Sequence, residues 1–300
     1  MKFIALLKME LQLYGKNWFI LSAVTIICAA LLWLATSQES FSTFSYALPI
    51  AFAKACASIL IGLNMSINII CKDFARIRRE LRMTISAFRL VSAKILLIVL
   101  LCFIMSAILV APFFLSDVGI GSFGIFDQRT GHLFLAVFST MFASALLGLL
   151  ISTIWYDNPQ RAALAIPFVM LFQILFSGFV FEQVRVDLSV VTMSNYSIRV
   201  IGSGLRFDSD PFVWETPSGV WDVITTGEIT PHLYAINNLS ILALFALLSA
   251  ALCMVILFSI DKRGSDERKK RRAAERSRRA AVRKRKRAVV LRWFKKYLRR

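Results

Sequence analysis

Residues 92–115 form the stretch SAKILLIVLLCFIMSAILVAPFFL, in which Lys94 is the only charged side chain. As a helix, an apolar run of about 20 residues crosses a hydrocarbon core of about 30 Å. Similar runs recur along the chain, so the sequence predicts six membrane-spanning helices, at about 18–35, 47–71, 92–115, 133–155, 163–181 and 239–260. The 300 residues are 57% hydrophobic and their mean hydropathy is +0.66, which excludes a soluble enzyme.

Basic residues are concentrated on one side of these predicted spans. Short loops rich in Lys and Arg stay in the cytoplasm, and the loop that follows the second span, 72–90, is strongly basic. The predicted outer loops contain ten acidic residues and only four arginines. Since the number of spans is even, we expect both termini in the cytoplasm of a multi-pass protein of the cell membrane, plasma or inner.

Two segments outside the spans complete the predicted fold. Residues 1–16 place their apolar side chains on one helical face, which is typical of a helix lying on the inner membrane surface. Residues 182–236 form a small outer domain, with strand-like alternation over 184–190 and turns around Gly202 and Gly204. The predicted fold is an all-α membrane protein with six transmembrane helices, an amphipathic N-terminal interfacial helix, this outer domain between spans five and six, and a basic C-terminal helix.

The sequence contains no pattern typical of a catalytic or metal centre. The five cysteines include no CxxC pair and the two histidines no HxxxH pair, which supports neither a zinc site nor a disulfide framework. There is no GxxxxGK[ST] phosphate loop, and the GxGxxG at Gly119, Gly121 and Gly124 follows a membrane span instead of a strand. We therefore expect neither enzymatic activity nor a cofactor on this chain.

Lys54 lies about eight residues into the second predicted span, where a cation is costly and usually faces protein or a water-filled cavity. An arc of roughly 120° on this helix contains four polar residues: Lys54, Ser58, Asn64 and Asn68. This polar stripe is a candidate wall of a substrate path that contacts an anionic or polar group. Alternatively, Lys54 extends to the outer headgroups and the asparagines bond neighbouring helices.

The fifth predicted span carries an aromatic stripe within an arc of about 80°: Phe168, Phe172, Phe176 and Phe179. Such a stripe can line a path for flat or apolar molecules. Its alternative is an ordinary surface for lipid or for helix packing.

Two stretches carry a resemblance to a known family: FARIRRELRMTISAFRLVSAK at 74–94 and LGLLISTIWYDNPQRAALAIPFVMLFQILFSGFVFE at 147–182. The order of segments also matches, from the amphipathic start to the larger outer loop before the last span. Over roughly 1–260, the chain resembles the permease subunit of ABC exporters of the ABCG, drug-export and polysaccharide-export class. The basic tail departs from that pattern.

The resemblance implies a function and a set of partners. Such permeases work as dimers with an identical or related second permease, and each rides on a cytoplasmic ATP-binding subunit that holds ATP and magnesium. An amphipathic or hydrophobic substrate would move outward between the two permeases, along the second and fifth spans. The alternative function is a membrane-anchored assembly or regulatory protein without a transport path, which recruits partners through its tail.

Within 72–90, the resemblance implies contact with the ATP-binding subunit, and the candidate coupling residues are Arg76, Arg79, Glu80 and Arg82. Arg76 and Glu80 are four residues apart and can pair along a helix. The alternative is that these charges act only as a topology signal or contact anionic headgroups.

The predicted cytoplasmic tail, 261–300, holds 20 of the 36 basic residues and 4 of the 18 acidic ones. Basic clusters next to a membrane span are typical of binding to anionic lipids, and the candidates for this surface are Arg283, Lys284, Arg285, Lys286, Arg287, Trp293 and Phe294. Contact with the ATPase and a merely solvated tail are alternatives. Nucleic acid is the least favoured partner, because the tail directly follows a membrane span.

Overall fold

The computed structural model describes residues 22–32, 34, 44–71, 73–74, 77, 87–115, 128–177, 191–204 and 236–259. Within these ranges the chain is helical and contains no strand, which confirms the all-α class for this part of the protein. Seven helices are present in it: α1 Ser22–Leu32, α2 Phe44–Ser66, α3 Ala87–Leu115, α4 Gln128–Ile154, α5 Pro159–Leu175, α6 Met193–Gly204 and α7 Ile236–Ser259.

Three helices contain apolar stretches long enough to cross a membrane: Phe88–Ala111, Gly131–Ile154 and Ile236–Ser259, of 24 residues each. At a rise of about 1.5 Å per residue, each covers about 36 Å, more than a hydrocarbon core. The other predicted spans coincide with α1, α2 and α5, whose described apolar parts are shorter. The chain is therefore an integral membrane protein by length and composition, while the count of six spans stays a prediction.

The ends of the helices differ from the predicted bounds. α2 ends at Ser66, and residues 67–71, which we predicted within the second span, form turns. α5 begins four residues before its predicted span, because Asn158 caps it: its Oδ1 accepts from the amide nitrogens of Gln160 and Arg161, at 3.1 and 3.3 Å. Pro159 occupies the first helical position, where the lack of an N–H costs nothing because an N–H there has no acceptor within the helix. The connection from α4 to α5 is consequently a short turn.

α4 is the central helix and packs against α2, α3, α5 and α6. Its closest approach is to α2, where each helix contributes one glycine. A Cβ atom on Gly62 would meet the backbone oxygen of Met141 and the side chain of Ser144, and a Cβ on Gly148 would meet the side chain of Ser66. Small residues four apart on both helices let membrane helices approach closely. This crossing sets the positions of the residues discussed below.

α6 corrects one expectation for the predicted outer domain. Gly202 and Gly204, which we predicted in turns, belong to α6. Its residues Met193–Ile198 are all buried, and the helix packs against α4 and α2. The strand-like residues 184–190 and the amphipathic start 1–16 lie outside the described residues.

The chain divides into two compact units, Met1–Met254 and Val255–Arg300. The first contains α1–α6 and most of α7. The second is described only over 255–259, where α7 ends. Division into a transmembrane domain, 1–260, and a tail, 261–300, stays a prediction.

Candidate functional site

The buried half of the predicted polar stripe consists of Lys54 and Ser58 on α2. The side chain of Lys54 is 2% exposed and that of Ser58 is fully buried. Ser58 donates through Oγ to the backbone oxygen of Lys54 at 2.8 Å, so its polar group is satisfied within the helix. An ionisable group inside an apolar membrane helix is costly and usually marks a functional pathway or a bundle interior. Lys54 is therefore the first candidate for a functional residue in the interior of this chain.

The other half of the stripe has different surroundings. Asn64 is exposed and donates to the backbone oxygen of Leu60 at 2.9 Å. Asn68 is half-buried and lies in the turns that follow α2. The stripe thus crosses the boundary between the interior of this chain and its outer surface. The structure groups Lys54 with Ser58 and does not place the two asparagines with them.

The register of α2 against α4 shows what lies level with Lys54. Three contacting pairs are each separated by 82 positions: Gly62 with Ser144, Ser66 with Gly148, and Ile70 with Ser152. A constant offset means that the two helices run parallel. Extending it towards the start of α2 places Lys54 level with Ala136 and Ser58 level with Thr140.

At this level, α6 brings further polar side chains into the interior. Thr140 Oγ1 lies 3.0 Å from Ser197 Oγ, which in turn donates to the backbone oxygen of Met193 at 2.7 Å. Ser197 is fully buried and Asn195 is 3% exposed. α6 also packs against α2, and the constant offset between α2 and α4 puts these side chains at about the height of the buried half of the stripe.

The end of α5 is attached to the start of α6. Ser194 donates through Oγ to the backbone oxygen of Gln173 at 2.6 Å, and its amide donates to Gln173 Oε1 at 3.0 Å. Thr192 Oγ1 donates to the backbone oxygen of Phe176 at 3.0 Å. Carbonyls at the C-terminal end of a helix lack intrahelical donors, and here Thr192, just before α6, and Ser194 in its first turn supply them.

The aromatic stripe of α5 faces outward in this chain. Phe168 is 72% exposed and Phe172 is 37% exposed, whereas Phe176 is half-buried with its ring centroid 4.8 Å from that of Phe172. Within α5 the buried residues are Ala162, Ala165 and Gln173. The stripe consequently does not line the interior of a single chain; it offers an apolar surface to lipid or to a second chain. Phe179 lies outside the described residues.

The structure does not describe the remaining candidates. The coupling residues Arg76, Arg79, Glu80 and Arg82 and the tail residues Arg283–Arg287, Trp293 and Phe294 all lie outside the described ranges. Their roles stay predictions.

Two groups of residues were not found from sequence. Lys94 is 1% exposed and contacts Ile69 in the turns that follow α2. The only sign of it in the sequence was a charge inside an apolar run. The polar residues of α6 gave no signal, because serine and asparagine in a loop-like segment are unremarkable until the segment is placed against α2 and α4.

The apolar helices, with polar groups buried between them, define a polytopic α-helical membrane protein. The family model of the ABC-2 type transporter matches residues 1–193, which is more than half of the chain and reaches the start of α6. The chain therefore belongs to the ABC-2 type transporter family, as its resemblance to exporter permeases implied. Comparison with curated proteins gives no match. Such a domain is a membrane transport component of an ABC transporter and is not itself catalytic.

Proposed function

We propose that this chain is the permease subunit of an ATP-driven exporter. It forms the outward path for an amphipathic or hydrophobic substrate, while a separate cytoplasmic subunit binds ATP and magnesium. Membership of the ABC-2 family supports a permease, since such transporters generally work with an ATP-binding partner. The predicted orientation, with both termini cytoplasmic, puts 72–90 on the side where that partner would act.

The observation that carries the transport path is the buried Lys54. A residue needed only for packing at this depth would be apolar, because burial of a cation is costly. Lys54 instead lies in an apolar helix, with Ser58 on the same face and the polar side chains of α6 at the same level. This arrangement suits an amphipathic substrate with an anionic or polar group.

The outward-facing aromatic stripe supports a second permease, identical or related. Phe168 and Phe172 leave a large apolar surface on α5 in the single chain, and exposed apolar surfaces are commonly covered by lipid or protein. Two chains placed with these faces towards each other would enclose an aromatic-lined space. Asn64, exposed on α2, would then face the same space.

The alternative of a non-transporting anchor makes a different prediction for Lys54. An anchor needs its helices and its tail, and replacing one interior lysine by methionine would leave recruitment of partners unchanged. A permease would lose movement of its substrate.

The test uses the permease co-expressed with its ATP-binding subunit in inverted membrane vesicles. We expect ATP-dependent uptake of an anionic amphiphilic dye, and Lys54→Met should lower that uptake by roughly 10- to 100-fold, because loss of a charged hydrogen bond costs about 1.5–3 kcal/mol. Lys16→Met removes the same charge outside the predicted spans and should leave uptake unchanged.

Equal uptake by the Lys54→Met and wild-type proteins would remove Lys54 from the path. Absence of any ATP-dependent uptake, with an intact complex and both an anionic and a cationic dye, would favour the anchor.

A further inference from the structure

The chain that leaves α2 is held by groups from two other helices before it reaches the predicted coupling residues. Residues 67–71 continue from α2 as turns, followed by Asp73, Phe74 and Ile77. Ile77 is 1% exposed, and its amide donates to the backbone oxygen of Asp73 at 2.8 Å. The described residues of this segment, 67–71, 73, 74 and 77, are called the α2 exit below.

Ser152 of α4 makes the first attachment. Its Oγ accepts from the amide nitrogens of Ile70 and Cys71, both at 3.1 Å, and is fully buried. Cys71 in return has its Sγ 3.0 Å from the backbone oxygen of Ser152 and 3.1 Å from that of Trp155. Backbone amides that leave a helix need acceptors when they are buried. One serine side chain thus joins the backbone of the α2 exit to the last turn of α4.

Lys94 of α3 makes the second attachment. Its Nζ lies 3.5 Å from the backbone oxygen of Ile69 and 3.9 Å from Oδ2 of Asp73, although the side chain is 1% exposed. A cation near the C-terminal end of a helix is favoured by the carbonyl dipoles there. Asp73 is 30% exposed, so the pair reaches from the interior to the surface at the start of the basic loop.

An aromatic contact makes the third attachment. The rings of Phe74 and Tyr156 have centroids 4.4 Å apart at an interplanar angle of 37°. Tyr156 lies in the short turn between α4 and α5, two residues before Asn158, the N-cap of α5. The α2 exit is therefore in contact with α3, with the end of α4 and with the turn that leads into α5.

From these three attachments we infer that Lys94 and Ser152 are positioning residues of energy coupling: they join the α2 exit to α3 and α4, so that displacement of 72–90 moves these helices together. The inference rests on the proposed function, because an ATP-binding subunit supplies the displacement. Lys94 fixes the α2 exit through charge, and methionine would fill the same space without holding Asp73.

The experiment measures coupling in the complete complex of the permease with its ATP-binding subunit. The readout is the amount of anionic amphiphilic dye moved per ATP hydrolysed. We expect Lys94→Met and Ser152→Ala each to lower this ratio by about tenfold, the effect of a barrier change of about 1.4 kcal/mol. Lys94→Arg, which keeps the charge, should retain most of the ratio.

Matched controls separate coupling from folding. Ser92→Ala is two residues from Lys94 and Ser139→Ala is on the same helix as Ser152; each serine bonds only a carbonyl three residues before it among the contacts the structure describes. Both should keep the wild-type ratio. Where Lys94→Met fails to insert, Asp73→Asn removes the partner charge and should lower the ratio by itself. Where Lys94→Met inserts, adding Asp73→Asn should lower the ratio no further, because paired residues are not additive.

The outcomes distinguish the inference from the function on which it rests. Normal dye movement per ATP in Lys94→Met, or in Asp73→Asn where the former does not insert, would overturn the inference and leave the permease function intact. A wild-type complex that hydrolyses no ATP and moves no dye would overturn both. A lowered ratio in Ser139→Ala equal to that in Ser152→Ala would also contradict a specific role for Ser152.

Discussion

From the close crossing of α2 and α4 we predict how alanine substitutions at three glycines rank in their effect on the free energy of unfolding. At Gly62, the added Cβ meets the backbone oxygen of Met141, which cannot rotate away, and the nitrogen of Ala145 at 3.1 Å. At Gly148, it meets the side chain of Ser66, which can turn, and the backbone oxygen of Leu63 at 3.0 Å. At Gly131, nothing lies within 4 Å.

These distances determine how much each substitution changes the free energy of unfolding. Overpacking of a tight interface costs about 1–3 kcal/mol, and exchange of glycine for alanine inside a helix returns about 1 kcal/mol. Because the clash at Gly62 is with backbone, the upper half of that cost applies, and Gly62→Ala should lower the free energy of unfolding by about 1–2 kcal/mol net. Gly148→Ala should lower it less, because Ser66 can yield. Gly131→Ala should raise the free energy of unfolding by about 0.5–1 kcal/mol, since only the helix propensity of the residue changes.

The assay is reversible unfolding of the purified permease in mixed micelles of increasing denaturing detergent. Loss of about 1–2 kcal/mol changes the ratio of folded to unfolded protein by roughly 5- to 30-fold, which moves the midpoint measurably. The three variants should rank with Gly62→Ala least stable and Gly131→Ala most stable. A midpoint for Gly62→Ala equal to that for Gly131→Ala would refute the close approach of α2 and α4, and with it the placement of Lys54 level with α6.

Three further predictions follow from the sequence. Replacing Arg79 and Glu80 together by alanine should leave membrane insertion intact and reduce substrate-stimulated ATP hydrolysis by the associated subunit; unchanged stimulation and export would contradict the coupling role. In intact cells, Ser209→Cys should react with an impermeant thiol reagent and Ser265→Cys should not, and the reverse labelling would invert the topology. A peptide of residues 267–300 should bind anionic vesicles, become helical there and dissociate as salt rises, because such attraction is screened beyond roughly 8 Å at physiological ionic strength; binding to the purified ATP-binding subunit alone would contradict a lipid surface.

The sequence by itself determined the class of the protein, because the length of an apolar run is a local property. Every predicted span overlaps a described helix, since a chain in hydrocarbon must satisfy its backbone hydrogen bonds internally; three of those helices contain an apolar stretch long enough to cross a membrane. The resemblance to exporter permeases could also be recognised from the sequence of two short stretches, 74–94 and 147–182, and the family match over 1–193 confirmed it.

Only the tertiary structure decided what each side chain faces. Helical angles placed Lys54 and Asn64 in one arc, yet one is buried and the other exposed, because α4 and α6 cover only part of α2. The four phenylalanines of the fifth predicted span shared an arc as well, but an arc does not distinguish interior from surface, and Phe168 proved to be on the surface.

The tertiary structure also revealed Lys94, Ser152 and α6. Ser152 contacts residues 81 and 82 positions away in the chain, and no periodicity within one helix encodes such a pair. The residues of α6 have loop-like composition, and their helix is stabilised by burial against α4 and α2. The local sequence pattern therefore determines which segments enter the membrane. The close packing of α2 and α4 at Gly62 and Gly148 determines which polar groups meet inside it, because helix pairing depends on shape and contact over the whole bundle.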